Sequence, residues 1–384
     1  DILGGLFKKE IRTATNMKEI KSILQLYNSF KNSGEKCAIA QVVSVEESSY
    51  RREGARMLVF ESGVFEGGIS GGCLEGDALQ RSQIAILKQE PSIVTYDTSK
   101  ENEIGVGLGC NGVIDVLISP ISENSATLEM LQKCVSDRGF HVIATVTALN
   151  TQIETIPLGR SFYYNKHSAS LEDCQPNGLR NFLQDRIKDV LENQKSKTYH
   201  FENQGVKASV FIELIPPQFH LAIYGDNYDV YPMLEMAKLM DWDVSLVGNV
   251  QKLKKEKLQS VKNIYLKDFD ARPKIDSRTA IILMAHDYKT DYENLRQLVN
   301  SPAPYIASLG PRKRFDKMIA EFKLNGFEFS KDELQRIYAP CGLEIGANTP
   351  EEIAMSLFSE ILSVLSGNTG GMLRNKVGPI HERN

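Results

Sequence analysis

Apolar residues Ile20, Ile23, Leu24, Tyr27 and Phe30 fall three or four positions apart, so residues 17–30 carry one apolar face and a helix is predicted there. Residues 38–45 change the period. This run is apolar and rich in β-branched residues, as a buried strand would be. A polar loop over 48–54 separates it from strands at 55–60 and near Val64. A helix over 74–88 follows, then strands at 93–96 and 113–118. Between 128 and 214 the order is helix, strands, helix, strands. Residues 141–149 alternate, 178–193 have helical spacing, 208–214 read as a strand, and the polar stretch 165–177 reads as a loop.

Pro216-Pro217 interrupts the chain, and a domain boundary is predicted there. Beyond it, apolar strands at 219–224, 243–247, 263–266, 280–284 and 305–308 alternate with helices at 231–240, 291–299, 312–324 and 350–365. Short strands alternating with helices imply a parallel sheet covered on both faces. The expected fold class is α/β, with an N-terminal mixed α/β domain over 1–215 and a C-terminal Rossmann-like domain with a parallel sheet over 218–366. A glycine-rich tail over 367–384 completes the chain.

Composition narrows the class. The 384 residues are enough for two or three cores, and 42% apolar with 24% charged residues is ordinary for a soluble globular protein. A net charge of −4 provides no general attraction to nucleic acid. No apolar run is long enough for membrane insertion, and residues 1–15 lack the pattern of a signal peptide, so a cytoplasmic location is expected. Cys37, Cys73, Cys110, Cys134, Cys174 and Cys341 have no CxxC spacing, which argues against a zinc ribbon or a disulfide framework. Cys37 and Cys134 read as core thiols, and Cys174, among polar neighbours, as a loop thiol.

Two cysteines are set in glycine. In Gly67-Gly68-Ile69-Ser70-Gly71-Gly72-Cys73-Leu74-Glu75-Gly76-Asp77, Cys73 stands where the helix over 74–88 begins. Glycine lets backbone N–H groups approach a ligand, and a helix start favours a bound anion or a thiolate. Glu75 and Asp77 suit the helix dipole but oppose a thiolate's charge. A tight turn over a buried thiol is the plainer alternative. The second run, Gly107-Leu108-Gly109-Cys110-Asn111-Gly112, precedes a strand and so lacks the context of a dinucleotide loop; anion contact through its N–H groups remains. Arg51, Arg52 and Arg56 surround a nearby loop, either as phosphate contacts or as a solvated charged face.

In the second half, Tyr224-Gly225-Asp226-Asn227 keeps one glycine of the three usual in a dinucleotide turn. Asp226 puts negative charge where a pyrophosphate would sit, and Gly248-Asn249 stand where an acidic residue would hold a ribose. His286-Asp287 follow a strand at the end where α/β folds place ligands, with Asp291 one helical turn on. That group suits a metal or a proton transfer, or simply a helix cap. Thr349-Pro350-Glu351-Glu352 is a structural helix start.

Gly54-Ala55-Arg56-Met57, the two glycine–cysteine runs, Met284-Ala285-His286-Asp287, Leu309-Gly310-Pro311-Arg312-Lys313-Arg314 and Ala339-Pro340-Cys341-Gly342-Leu343-Glu344-Ile345-Gly346-Ala347 occur in order over most of the chain. Together they resemble the XdhC/CoxI family of maturation factors for molybdenum hydroxylases such as xanthine dehydrogenase and carbon monoxide dehydrogenase. The resemblance implies a chaperone, rather than a free-standing enzyme, that binds molybdenum cofactor (molybdopterin), supports its sulfuration and passes it to an apo molybdenum hydroxylase. Implied partners are that hydroxylase, a cysteine desulfurase and a second copy in a homodimer.

By resemblance Cys73 and Cys110 correspond to the family's characteristic cysteines and are the candidates for chemistry. The full set of candidate cofactor contacts is Arg51, Arg52, Arg56, Ser70, Gly71, Gly72, Cys73, Glu75, Gly107, Gly109, Cys110, Asn111, His286 and Asp287, with no metal ligands assigned. The family's turn usually has glycine where Asn227 stands and an acidic residue near Gly248, departures that weigh against NAD(P) in the second domain. The alternatives are an NAD(P)-dependent oxidoreductase using that domain and a non-catalytic interaction scaffold.

Overall fold

The computed structural model describes residues 17–47, 51–97, 112–122, 125–150, 156–169, 171–203, 205–266 and 272–377. The chain divides into two compact units, the first ending at Pro217 and the second running on from Gln218.

The first unit opens with α1 (Met17–Phe30), followed by β1 (Cys37–Glu47), β2 (Arg56–Phe60), β3 (Phe65–Gly67), α2 (Glu75–Lys88), β4 (Ser92–Asp97) and β5 (Gly112–Ile121). Its five strands form an antiparallel sheet in the order β3-β2-β1-β5-β4. Strand alternation sorts β1 between two cores. Ala38, Ala40 and Val42 pack with Ala78, Ala85 and Ile86 of α2, while Cys37 and Ile39 pack with Ile20, Ile23 and Leu24 of α1.

The same unit continues with α3 (Ala126–Ser136), β6 (His141–Leu149), β7 (Ser161–Asn165), β8 (Ser168–Ala169), α4 (Asn177–Asn193), β9 (Lys197–Asn203) and β10 (Val206–Ile215). These strands make a second antiparallel sheet, ordered β8-β7-β6-β10-β9. Leu179, Leu183, Ile187 and Val190, at helical spacing on α4, cover Val142, Ala144, Val210 and Ile212. The stretch 165–177, expected as a plain loop, holds β8 and a 3-10 turn at Leu171–Asp173. That turn rolls Leu171 and Cys174 into the core and leaves Glu172 and Asp173 outside, so Cys174 is a core thiol rather than a loop thiol. Polar neighbours in sequence misled because a 3-10 turn has three residues per turn, which puts Leu171 and Cys174 on one face and the two acids between them on the other.

The second unit contains β11 (His220–Tyr224), α5 (Val230–Leu239), β12 (Asp243–Val247), β13 (Asn263–Tyr265), β14 (Thr279–Leu283), α6 (Tyr288–Leu298), β15 (Tyr305–Ser308), α7 (Arg312–Leu324), α8 (Lys331–Gln335), β16 (Ile337–Tyr338) and α9 (Pro350–Ser366). Its six strands are parallel, in the order β13-β12-β11-β14-β15-β16. Counted from β11 this is the doubly wound order 3-2-1-4-5-6, which reverses beside β11. Leu221 and Ile223 face the core made with α5 and α9, and Ala222 and Tyr224 face the core made with α6 and α7. Burial on both faces is why these strands read as continuous apolar runs. The short α8 and two-residue β16 escape pattern reading because neither completes a period. Among the described residues no helix is long and apolar enough to cross a membrane.

Candidate functional site

Residues 68–74 link β3 to α2. Gly67 has φ +87°, and a Cβ there would lie 2.2 Å from the Arg56 carbonyl oxygen, so close backbone approach requires this glycine. Glu75 folds back over the turn. Its Oε1 accepts from the N–H of Ile69 (3.2 Å) and Ser70 (2.8 Å), and its Oε2 from Ser70 Oγ (2.5 Å) and Leu74 N–H (3.2 Å). Ser70 Oγ in turn accepts from the N–H groups of Gly72 (3.2 Å), Cys73 (3.1 Å) and Leu74 (3.1 Å). The amides of Ile69, Ser70, Gly72, Cys73 and Leu74, expected to help cradle an anion, are therefore engaged by the chain's own oxygens. Burial works to raise the Glu75 pKa, but the hydrogen bonds from Ser70 and the backbone together outweigh it and hold the carboxyl below its ordinary value. Gly71, Gly72 and Cys73 stand exposed at the crest of the turn.

The three arginines separate. Arg51 pairs with Glu19 of α1 and also feels the charge of Glu75; burial, the larger influence, lowers its pKa. Arg52 is partly exposed. Arg56 turns inward and is 2% exposed. Its guanidinium donates to the Gly54 carbonyl (2.7 Å) and forks onto Glu213 of β10, with 3.0 Å to Oε1. Gln41 Nε2 donates to the same carboxylate at 3.0 Å. Glu19 joins the two arginines, since its Oε1 accepts the Arg56 N–H at 2.9 Å. Glu19 and Glu213 were not anticipated. Glu213 had a signal, as the one charge within Phe211-Ile212-Glu213-Leu214-Ile215. Gly107, Gly109, Cys110 and Asn111 lie outside the described residues.

His286 and Asp287 belong to the second unit. Asp287 caps α6, accepting from the Thr290 N–H at 2.7 Å. Asp291 is buried and accepts from Ala285 N–H (3.1 Å) and Arg314 Nη2 (2.6 Å). His286 instead points to Asp229, with Nε2 to Oδ2 at 2.6 Å, and adopts φ +59°, a left-handed conformation costly for a residue with a Cβ. Thus His286, Asp287 and Asp291 diverge. Among the described residues no three His, Cys, Asp or Glu are placed to hold a metal.

At the reversal of strand order, Gly225 follows β11, and a Cβ there would meet the Met284 carbonyl oxygen at 2.6 Å. Asp226 reaches across to the segment after β12: its Oδ2 accepts the Asn249 N–H at 2.8 Å, and its Oδ1 lies 3.4 Å from Lys252 Nζ. The carboxylate thus bridges the ends of β11 and β12, the place a dinucleotide's pyrophosphate and ribose occupy in this topology.

Two family models match the chain: the XdhC and CoxI family over 31–97, and the XdhC Rossmann domain over 221–361. A Bacillus subtilis (strain 168) protein described as a probable subunit of xanthine dehydrogenase is 26% identical over 339 residues, 85% of this chain and 93% of that protein. The molybdenum cofactor insertion chaperone PaoD of Escherichia coli (strain K12) is 22% identical over 332 residues, 86% of this chain and 84% of that protein. A crystal structure described as a xanthine dehydrogenase from Bacillus halodurans matches with a TM-score of 0.66 at 24% identity, covering 90% of this chain and 96% of that one. That last likeness is one of fold. With both halves matched in order, the chain belongs to the XdhC and CoxI family.

Proposed function

We propose that this protein is a molybdenum-cofactor chaperone that carries the cofactor to an apo molybdenum hydroxylase. Family membership and the relative named as an insertion chaperone support the reading. The observation that carries it is Cys73, an exposed thiol on a turn whose backbone Ser70 and Glu75 hold in place. An exposed, pre-positioned thiol suits a soft metal or a sulfur-bearing centre. The cargo's phosphate would have to find other donors than the engaged amides of Ile69, Ser70, Gly72, Cys73 and Leu74, and the partly exposed Arg52 is a cation available to it. Support of sulfuration, with a cysteine desulfurase as source, and homodimerisation in the cytoplasm extend the same proposal. Asp226, bridging β11 and β12, weighs against nicotinamide dinucleotide binding in the second unit.

Protein purified from molybdenum-replete cells should yield bound pterin, read as its fluorescent oxidation product. Cys73→Ser should lower both the retained pterin and the activation of an apo-hydroxylase. Absence of pterin from the wild-type protein would sink the proposal. Full retention and activation in both Cys73→Ser and Cys110→Ser would remove the thiols from it.

A further inference from the structure

A groove of about 390 Å³ lies between α6 and the end of α7. Tyr288, Tyr292, Phe322 and Phe327 give it an aromatic lining, and their rings stack in turn: Tyr288 on Tyr292, Tyr292 on Phe322 at 4.0 Å between centroids, and Phe322 against Phe327. Both hydroxyls are engaged, Tyr288 donating to Glu321 at 2.7 Å and Tyr292 accepting from Asn325 at 3.0 Å. These contacts fix the rings, so the groove is a preformed aromatic slot. Its volume lies at the low end of the roughly 300–1,000 Å³ of binding pockets, which is room for one large side chain.

Charge sets the character of the surrounding surface. The two helices expose Lys289, Arg296, Arg312, Lys313, Lys317 and Lys323 against Glu293, Asp316 and Glu321, in a chain whose net charge is −4. Asp291 and Arg314, the remaining charges of α6 and α7, neutralise each other. None of the six exposed cations is in an ion pair among the described residues, and Lys317 lies over the Tyr288 ring, 4.7 Å from its centroid. Next to Asn325 of the wall, α7 ends on Leu324, which is 87% exposed. An aromatic slot in an uncompensated basic surface is complementary to an aromatic residue flanked by acids.

We propose that this groove docks a partner protein through an acidic segment with one aromatic anchor, which enters the slot while flanking carboxylates meet Lys289, Arg296 and Lys317. Large aromatic anchors in well-packed pockets carry most of the energy of such contacts, and charge complementarity adds speed and selectivity. Glu293 and Glu321 remain in the wall to accept the anchor's N–H or O–H, which selects Trp or Tyr over Phe. The groove belongs to the second unit and uses no residue of the Cys73 turn, so its failure would leave the chaperone proposal standing.

The test uses the full chain and a synthetic peptide with one Trp centred among Asp and Glu, read by titration calorimetry. The peptide should bind, and less tightly as salt rises from about 50 to about 500 mM, because screening shortens the reach of the rim charges. Replacing its Trp by Ala, or its acids by their amides, should each weaken binding about tenfold or more. The double change Lys289→Glu with Arg296→Glu should do the same and leave the thermal unfolding midpoint unchanged, since both side chains are exposed. Three results would overturn the proposal: no binding by the wild-type protein, binding indifferent to loss of the Trp or of the acids, or unchanged binding by the doubly reversed variant. Sedimentation of the protein alone tests the rival occupant. Self-association that the same double change abolishes, without peptide binding, would assign the groove to a second copy of this chain and overturn the proposal.

Discussion

Arg56 and Glu213 lie 157 residues apart in the chain and meet as a buried, forked ion pair, 2% and 0% exposed. The pair ties β2 of the first sheet to β10 of the second, with Gln41 and the Gly54 carbonyl completing the polar cluster.

Removing one partner should therefore be worse than removing both. Glu213→Leu leaves the Arg56 charge buried and unpaired and should cost about 3–5 kcal/mol, whereas Arg56→Leu with Glu213→Leu should cost less than either change alone. Urea unfolding of the four proteins of this double-mutant cycle measures it. Additive losses would mean that the pair is not coupled.

Glu75 should make stability depend on acid. Its folded pKa is held below the ordinary 4.5, so its contribution is complete above that value and is lost as pH falls through the folded one. Denaturation between pH 7 and 3 should show stability falling more steeply below about pH 4.5 in the wild type than in Glu75→Gln. Gln also cannot replace it in place, since four donors aim at the two carboxylate oxygens and an amide offers only one oxygen.

Thiol labelling should single out Cys73 among the described cysteines. Burial pushes Cys37, Cys134 and Cys341 up to about 12 and Cys174 to about 11, while Cys73 is exposed. Alkylation of the native protein at pH 8, followed by peptide mapping, should modify Cys73 before these four. Prior modification of Cys37 or Cys134 would contradict the packing of the first unit.

Gly67→Ala should destabilise by about 2 kcal/mol or more, because a Cβ would strike the Arg56 carbonyl and the residue would be held at positive φ. Arg56 donates its own N–H to Glu19, so the disturbance should reach α1. Hydrogen exchange of α1 amides checks this: unchanged protection in a folded Gly67→Ala protein would refute the link.

Most elements were legible because their side chains share one periodic environment. α1 and α7 occupy the residues their spacing predicts, and β12 and β15 those of their apolar runs. Where an end group decides, the reading slips. α6 begins at Tyr288 rather than at Asp291, since Asp287 caps it and its first turn is polar. Of the candidate site, sequence could propose that Ser70, Cys73 and Glu75 act together, as they are close in the chain. It could not say that Glu75 closes the amide cradle, which depends on the carboxylate folding back over the turn.

Sequence alone thus determined the α/β class, the parallel sheet of the second half and the family, because periodicity and short ordered motifs are local properties. Only tertiary structure decided what each charged group does. Arg51 and Arg56 are five residues apart, yet one sits half-buried beside Glu19 and Glu75 and the other is buried against Glu213. His286 likewise finds Asp229, 57 residues away, instead of its neighbour Asp287. Desolvation and partner choice set the behaviour of an ionised side chain, and both are properties of the packed structure rather than of adjacent residues.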